Sequence, residues 1–220
     1  MVTIQKETEI APISIIGKYS GICYNSNIED EIKNYKRGWD CLKSEHGRTL
    51  EFIQVYLVLD NYSARTIRQL YCHIGGMPTR LQTSTRYVNY ENFKYVTPPI
   101  IQNNNLAKEE YNNVMKQIMD GYKKLEELNI PQEDIANILP LGMETKVVLR
   151  TNLRNLIDMS HQRMCTRAYW EYRQLFSDLC KALSEYSTQW KIIVDEFFMP
   201  KCEYLHYCPE KHSCGRVKNN

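Results

Sequence analysis

The chain lacks any uninterrupted apolar run approaching ~18 residues, so no segment reads as a membrane-spanning helix. Its opening stretch, MVTIQKETEIAPISIIG, carries acidic residues and no apolar run of signal-peptide length, and a cytoplasmic protein is expected. A charge excess is missing too. The net charge is +2 and no basic stripe runs along the chain, so nucleic acid is not an expected partner. There are no internal repeats and no low-complexity tracts. Phenylalanine is scarce, at 5 residues against 16 tyrosines, which points to surfaces that must stack and hydrogen-bond at once. What is present is a globular composition, 43% hydrophobic and 25% charged, in 220 residues, enough for one domain with a real core.

No Cys-x-x-Cys pair occurs among the eight cysteines, and in a reducing cytoplasm disulfides are not expected. Cys23, Cys41, Cys72, Cys165 and Cys180 are scattered through apolar or helical sequence and are expected to be small core residues. Cys202, His206, Cys208, His212 and Cys214 cluster in KCEYLHYCPEKHSCG. Such a set can bind zinc, but without a knuckle, and with cysteines six apart, free thiols in a folded-back tail fit better. No metal ligand is therefore assigned. The expected organisation is one catalytic domain over 1–200 and a Cys/His-rich tail over 201–220.

Along the chain, Ile28 to His46 reads as a helix with an acidic start and a basic later part. Leu50 to Leu59, LEFIQVYLVL, is expected to be a strand buried on both faces. NYSARTIRQLYCHI follows as a helix with Ser63 as N-cap and Gly75-Gly76 as its stop. After a connector at Pro98-Pro99 and Asn103 to Asn105, Tyr111, Val114, Ile118, Tyr122 and Leu125 recur at helical spacing. Pro131 starts a short helix, METKVVLRT is a second strand, and Asn152 caps a helix carrying Arg154, Asp158 and Gln162 in one row. A last long helix begins near Arg167 and buries Leu175, Phe176, Leu179 and Leu183. Strands and helices mix without a βαβ rhythm, so the fold class is α+β.

Three stretches carry candidate chemistry. In TRLQTSTRY, Thr79 to Tyr87, extended backbone would turn Gln82, Ser84 and Arg86 to one side. A hydroxyl, an amide and a guanidinium there suit a phosphate, while a solvated polar loop fits the composition equally. In HGRTLEF, Glu51 opens an otherwise apolar strand and needs a partner. Arg68, Gln69 and His73 end a helix, where the dipole favours histidine in any case. The third stretch, Leu139 to Arg173, places Arg154 and Arg163 on a capped helix with Trp170 and Glu171 beyond, an arrangement that structural ion pairs would also explain.

In order, these blocks resemble the flavin-dependent thymidylate synthase family. The resemblance rests on His46-Gly47 with Glu51, Arg68-Gln69 with His73, and Ser84-Thr85-Arg86-Tyr87. It continues through Leu139-Pro140-Leu141, Asn152-Leu153-Arg154, Arg163 and Ala168-Tyr169-Trp170-Glu171, covering roughly residues 20 to 175. It implies an antiparallel or mixed sheet flanked by long helices, in a homotetramer whose active sites form between subunits. The implied activity is methylation of dUMP at C5, with FAD as cofactor and methylenetetrahydrofolate and NADPH as co-substrates. By the same resemblance Arg163 and Ser84 are catalytic, and Gln69, Gln82, Ser84, Arg86 and Arg163 bind the nucleotide. His46, Arg48, Glu51, His73, Arg80, Asn152, Arg154 and Asp158 would line FAD.

The departures are specific. Where the family has Arg-His-Arg, this chain has Cys72-His73-Ile74, and the spacing to Ser84 is two residues longer. Ala136 and Asn137 stand near where an arginine is common. Arg48 and Arg80 are extra guanidiniums that could serve the same phosphates. Two other readings follow: a relative acting on another pyrimidine nucleotide or adding another one-carbon group, and a nucleic-acid-binding protein using the Cys/His tail.

Overall fold

The computed structural model describes residues 1–218, so the last two residues of the tail lie outside the described residues. Contacts divide the chain into two compact units. The first holds Met1–Val58, Cys72–Arg80 and the chain from Val148 onward; the second holds Leu59–Tyr71 and Leu81–Val147.

The strands are β1 (Val2–Ile4), β2 (Gln54–Ser63), β3 (Thr79–Gln82) and β4 (Glu144–Asn152), in the sheet order β1-β2-β4-β3. Strands β2 and β4 run antiparallel: Leu153 N–H donates to Ile53 O at one end, and Ala64 N–H donates to Met143 O at the other. This is the expected α+β class with an antiparallel sheet. Strand β2 begins later than its sequence suggests, because Gly47–Leu50 forms a one-turn helix, α3. Its burial also alternates, with Val55, Leu57 and Leu59 buried and Gln54, Tyr56 and Val58 only half-buried. The expected strand covered on both faces is thus corrected to one with a single fully buried face.

In the first unit, α1 (Pro12–Ile22) packs on α2 (Glu31–Lys43). The approach is so close that a Cβ on Gly17 would lie 1.7 Å from Asn34 O. Helices α8 (Leu153–Arg163), α9 (Trp170–Tyr186) and α10 (Thr188–Phe197) complete the unit, with the short α11 (Lys201–Leu205) in the tail. The expected long last helix breaks at Ser187, whose side chain accepts from Trp190 N–H and restarts the chain as α10. Tyr172, Leu175, Phe176, Leu183 and Trp190 fill the core, and Trp190 Nε1–H donates to Glu9 O at 2.7 Å.

In the second unit, Ser63 caps α4 (Ala64–Leu70) as expected, accepting from Thr66 N–H at 3.2 Å. The helix stops at Leu70, well before Gly75. The connector contains α5 (Pro99–Gln102), and Asn104 then caps α6 (Asn105–Glu127). Tyr90, Phe93, Met115, Tyr122, Ile135 of α7 (Gln132–Ile135) and Met143 form this unit's core. Met115 takes the buried position expected for Val114, which is exposed. The tyrosines pack and bond together: Tyr95 Oη–H donates to Asn112 at 2.9 Å and Tyr111 Oη–H to Val96 O at 3.2 Å.

Of the five scattered cysteines, only Cys41 is buried. Cys165 and Cys180 are half-buried, and Cys23 and Cys72 are exposed, which corrects the expected core role. Cys72 ends up outside because it lies in the irregular segment after α4. Among the described residues no helix is long and apolar enough to cross a membrane.

Candidate functional site

Strand β4 delivers its last residue, Asn152, in extended conformation at the start of α8, where its side chain accepts from Asn155 N–H at 2.9 Å. That cap fixes the helix carrying Arg154, Asp158 and Arg163. The segment 72–80 lies over this helix start. Gly76 has φ +68, and a Cβ there would fall 1.8 Å from Asn152 Nδ2. Arg150 donates to Met77 O at 3.1 Å. The glycine pair expected to end a helix therefore serves a close backbone approach.

His73 is buried in that segment, and Arg163 Nε–H donates to its Nε2 at 2.8 Å. Arg80 donates to the His73 carbonyl. The Arg163 guanidinium stands 4.3 Å over the Tyr172 ring, and the His73 ring lies 5.9 Å from the same tyrosine. Burial, then the positive charges of Arg163 and Arg80, lower the His73 pKa to about 4. Its imidazole is thus neutral at working pH, as an acceptor from a guanidinium must be. Burial pushes the Tyr172 hydroxyl upward, so it stays protonated.

A second group forms where α3 meets α8. Glu51 accepts from Arg154 Nη1 at 2.7 Å and from Arg48 Nη1 at 3.1 Å. The Arg154 hydrogen bond, aided by the charges of Arg48 and Arg154, holds the Glu51 carboxyl below its ordinary range. Arg48, Arg154 and Asp158 line a cavity of about 350 Å³ that also meets His161 and Tyr204. His161 stacks on Tyr204 at 4.6 Å, and Tyr204 Oη–H donates to Glu45 at 2.9 Å. Neither His161 nor Tyr204 was among the expected site residues. His161 stands one turn beyond Asp158, a signal the sequence did offer; Tyr204 comes from the tail and gave none. His46 is exposed and caps α3 through its carbonyl, which accepts from Thr49 N–H at 2.9 Å.

The remaining expected residues belong to the second unit. Strand β3 ends at Gln82, and Thr85 to Tyr87 form a turn. The expected one-sided alternation of Gln82, Ser84 and Arg86 is therefore corrected. Ser84 Oγ accepts from Arg86 N–H at 3.1 Å, folding the chain back on itself. Arg86 Nε–H donates to Glu133 at 2.8 Å, both side chains being largely exposed. Gln82 Nε2 donates instead to Thr145 Oγ1 at 3.2 Å. Gln69 lies half-buried on α4.

Could this chain hold a flavin dinucleotide? Two guanidiniums on a cavity suit a pyrophosphate, and a stacked imidazole and phenol beside them suit a flat ring. The volume is at the low end for ligand pockets, enough for one end of a dinucleotide. The residues present fit the group. Among the described residues, no group of three His, Cys, Asp or Glu side chains is arranged to hold a metal ion.

Comparison with known proteins matches residues 9–187 to the family model described as thymidylate synthase complementing protein. The flavin-dependent thymidylate synthase of Nitratidesulfovibrio vulgaris is 27% identical, over 93% of this chain and 90% of its own length. That of Thermococcus kodakarensis is 31% identical, over 75% of this chain and 68% of its own. Among solved structures, the flavin-dependent thymidylate synthase of Helicobacter pylori, complexed with FAD and dUMP, superposes with a TM-score of 0.67 at 19% identity. The superposition covers 87% of this chain and 98% of that one.

Proposed function

We infer the activity from one premise: this chain belongs to the thymidylate synthase complementing protein family. It is an FAD-dependent thymidylate synthase that converts dUMP to dTMP, a cytoplasmic enzyme that works as a homotetramer. When bound, FAD supplies the redox chemistry, moving the one-carbon unit of methylenetetrahydrofolate to C5 of uracil with NADPH as reductant.

The observation that carries this reading is the setting of Arg163. Its guanidinium is held on one side by the neutral His73 ring and below by the face of Tyr172. A planar, permanently charged fork fixed in that way can bind a uracil carbonyl and stabilise the negative charge that develops there as C5 attacks. Arg48 and Arg154, fixed on Glu51, would neutralise the cofactor's phosphates. Arg80, which donates to the His73 carbonyl, would add a further positive charge for those phosphates from beside that histidine.

The nucleotide phosphate falls to Ser84 and Arg86, with Gln69 and Gln82 as further donors. A hydroxyl that accepts one hydrogen bond still has its own proton to give, so the Ser84 turn remains a phosphate donor. Arg86 reaches a phosphate by exchanging Glu133 for it. The test begins with colour: purified protein should carry flavin absorbance or shift the spectrum of added FAD. With methylenetetrahydrofolate and NADPH it should then methylate dUMP in preference to UMP or dCMP. Protein that neither holds nor shifts FAD would sink the reading. A preference for UMP or dCMP would make it the relative with another pyrimidine acceptor, for which the missing Arg-His-Arg arginines already argue.

A further inference from the structure

The cavity beside Arg48 and Arg154 has one wall made by the tail. Tyr204, on α11, lies beyond residue 187, where the match to the family ends, yet it lines this cavity together with Glu45, Asp158 and His161. Two contacts hold it there. Its ring stacks on His161 with centroids 4.6 Å apart and planes 24° from parallel, and its hydroxyl donates to Glu45 at 2.9 Å. The stretch that leads into α11 is fastened to α8, where Met199 N–H donates to Ser160 Oγ at 3.3 Å, and Phe198 and Cys202 are buried. Tyr204 itself is 41% exposed, so its ring is positioned at the cavity without being enclosed in the core.

Glu45 keeps its place against local preference. Just past the end of α2 its φ is 56, a left-handed conformation that favours glycine or asparagine. A glutamate there costs stability, and its carboxylate is turned to the Tyr204 hydroxyl. One accepted hydrogen bond leaves most of a carboxylate's lone pairs open, and Asp158 brings a second carboxylate to the same cavity. The cations on the cavity are Arg48, Arg154 and Lys43. Lys43 is engaged elsewhere, 3.7 Å from Asp40 and 5.8 Å from the centre of the Trp39 ring. Burial lowers the His161 imidazole below its ordinary range, against the pull of Asp158, so that ring adds no charge at working pH.

The inference rests on the FAD reading and assigns the cavity to one end of that cofactor. Arg154, Asp158 and His161 follow one another at i, i+4 and i+7 along one side of α8. Arg163 comes nine residues after Arg154, about two and a half turns, and so projects from the opposite side. The ring that reacts belongs with Arg163 and the uracil, which leaves this cavity for the other end. At about 350 Å³ it suits a purine nucleoside better than the larger tricyclic isoalloxazine.

We propose that Tyr204, with His161 and Glu45, seats the adenosine end of FAD and rejects an adenosine that bears a 2′-phosphate. The purine stacks on the Tyr204–His161 pair, as bases do on aromatic side chains. The ribose hydroxyls donate to Glu45, and the diphosphate meets Arg48 and Arg154. FAD and NADPH share an adenosine diphosphate, but NADPH adds a 2′-phosphate, which the Glu45 and Asp158 carboxylates repel. The tail therefore selects cofactor over co-substrate.

The test is calorimetry on the full-length protein with two probes, ADP-ribose and its 2′-phosphorylated form. ADP-ribose should bind and displace FAD, and the 2′-phosphate should weaken its binding at least tenfold. Tyr204→Leu should weaken ADP-ribose roughly fivefold or more, and Tyr204→Phe, which keeps the stack, should recover most of that loss. Glu45→Gln should narrow the gap between the two probes. Glu45→Gly should weaken ADP-ribose while the melting temperature holds or rises, since glycine suits φ 56; a merely structural Glu45 would not separate the two. Equal binding of the two probes by the wild type would overturn the proposal, as would a Tyr204→Leu protein that holds ADP-ribose normally. So would FAD that binds without being displaced by ADP-ribose. Protein that binds no flavin would instead sink the thymidylate reading, and the ADP-ribose titrations decide the adenosine seat in either case.

Discussion

Replacing His73 by leucine removes the acceptor that holds Arg163 Nε–H at 2.8 Å while keeping a side chain that fills the buried site. A hydrogen bond to a charged group contributes about 1.5–3 kcal/mol. The guanidinium would keep its place over Tyr172, at 4.3 Å, but could turn in that plane. If the orientation matters mainly as charge develops on uracil, the loss falls on the transition state. At ~1.4 kcal/mol per factor of ten, kcat should then drop by roughly 10- to 100-fold with KM for dUMP changing less. His73→Gln should recover most of that rate, because its amide oxygen can accept from Arg163. The assay is dTMP formation at saturating methylenetetrahydrofolate and NADPH. Leucine and glutamine variants of equal rate would refute the positioning argument, as would a leucine variant indistinguishable from wild type.

The same pair predicts a pH dependence. In the fold His73 titrates at about 4 against its ordinary 6.5, so between those values the unfolded chain binds a proton that the folded chain does not. Stability therefore falls as pH drops from 6.5 towards 4, and His73 contributes no pH dependence above that window. Thermal melts from pH 7 to pH 4 should show a shallower slope for His73→Leu than for wild type. Equal slopes would mean that His73 is not held neutral.

Other expectations follow from single contacts. Glu133→Gln releases Arg86 from an exposed ion pair of the kind that contributes ~0.2–1 kcal/mol, so dUMP should bind roughly 1.5- to 5-fold tighter by calorimetry. Arg86→Ala should abolish that binding with a change in stability within about 0.5 kcal/mol. Arg154→Ala should weaken FAD binding by roughly tenfold or more in a fluorescence titration while the melting temperature barely moves, since the side chain is half-exposed. Asn152→Ala removes the α8 cap and should cost about 1 kcal/mol in chemical denaturation. Arg163→Lys should lose most activity, because a point charge cannot replace the planar fork over Tyr172.

Caps were the most legible features of the chain, because a cap is a local bargain between one side chain and a backbone N–H three residues on. Ser63 and Asn152 were readable for that reason, and both form as expected. Glu51 shows where local reasoning stops. A carboxylate opening an apolar stretch announced that it needed a partner, but Arg154 stands 103 residues away, and only the pairing of β2 with β4 brings it there. Ser84 and Arg86 show a different failure. Alternation predicted one shared face, yet the Ser84 hydroxyl competes for the Arg86 N–H and converts strand into turn, which leaves the guanidinium to Glu133. Most instructive is His73, which kept its place in the family's order while losing both flanking arginines. Arg80, arriving through the lengthened glycine segment, clamps the histidine's backbone, and Arg163 engages its ring. The cationic surroundings of that imidazole have thus been rebuilt from residues that sequence order alone assigned to separate tasks.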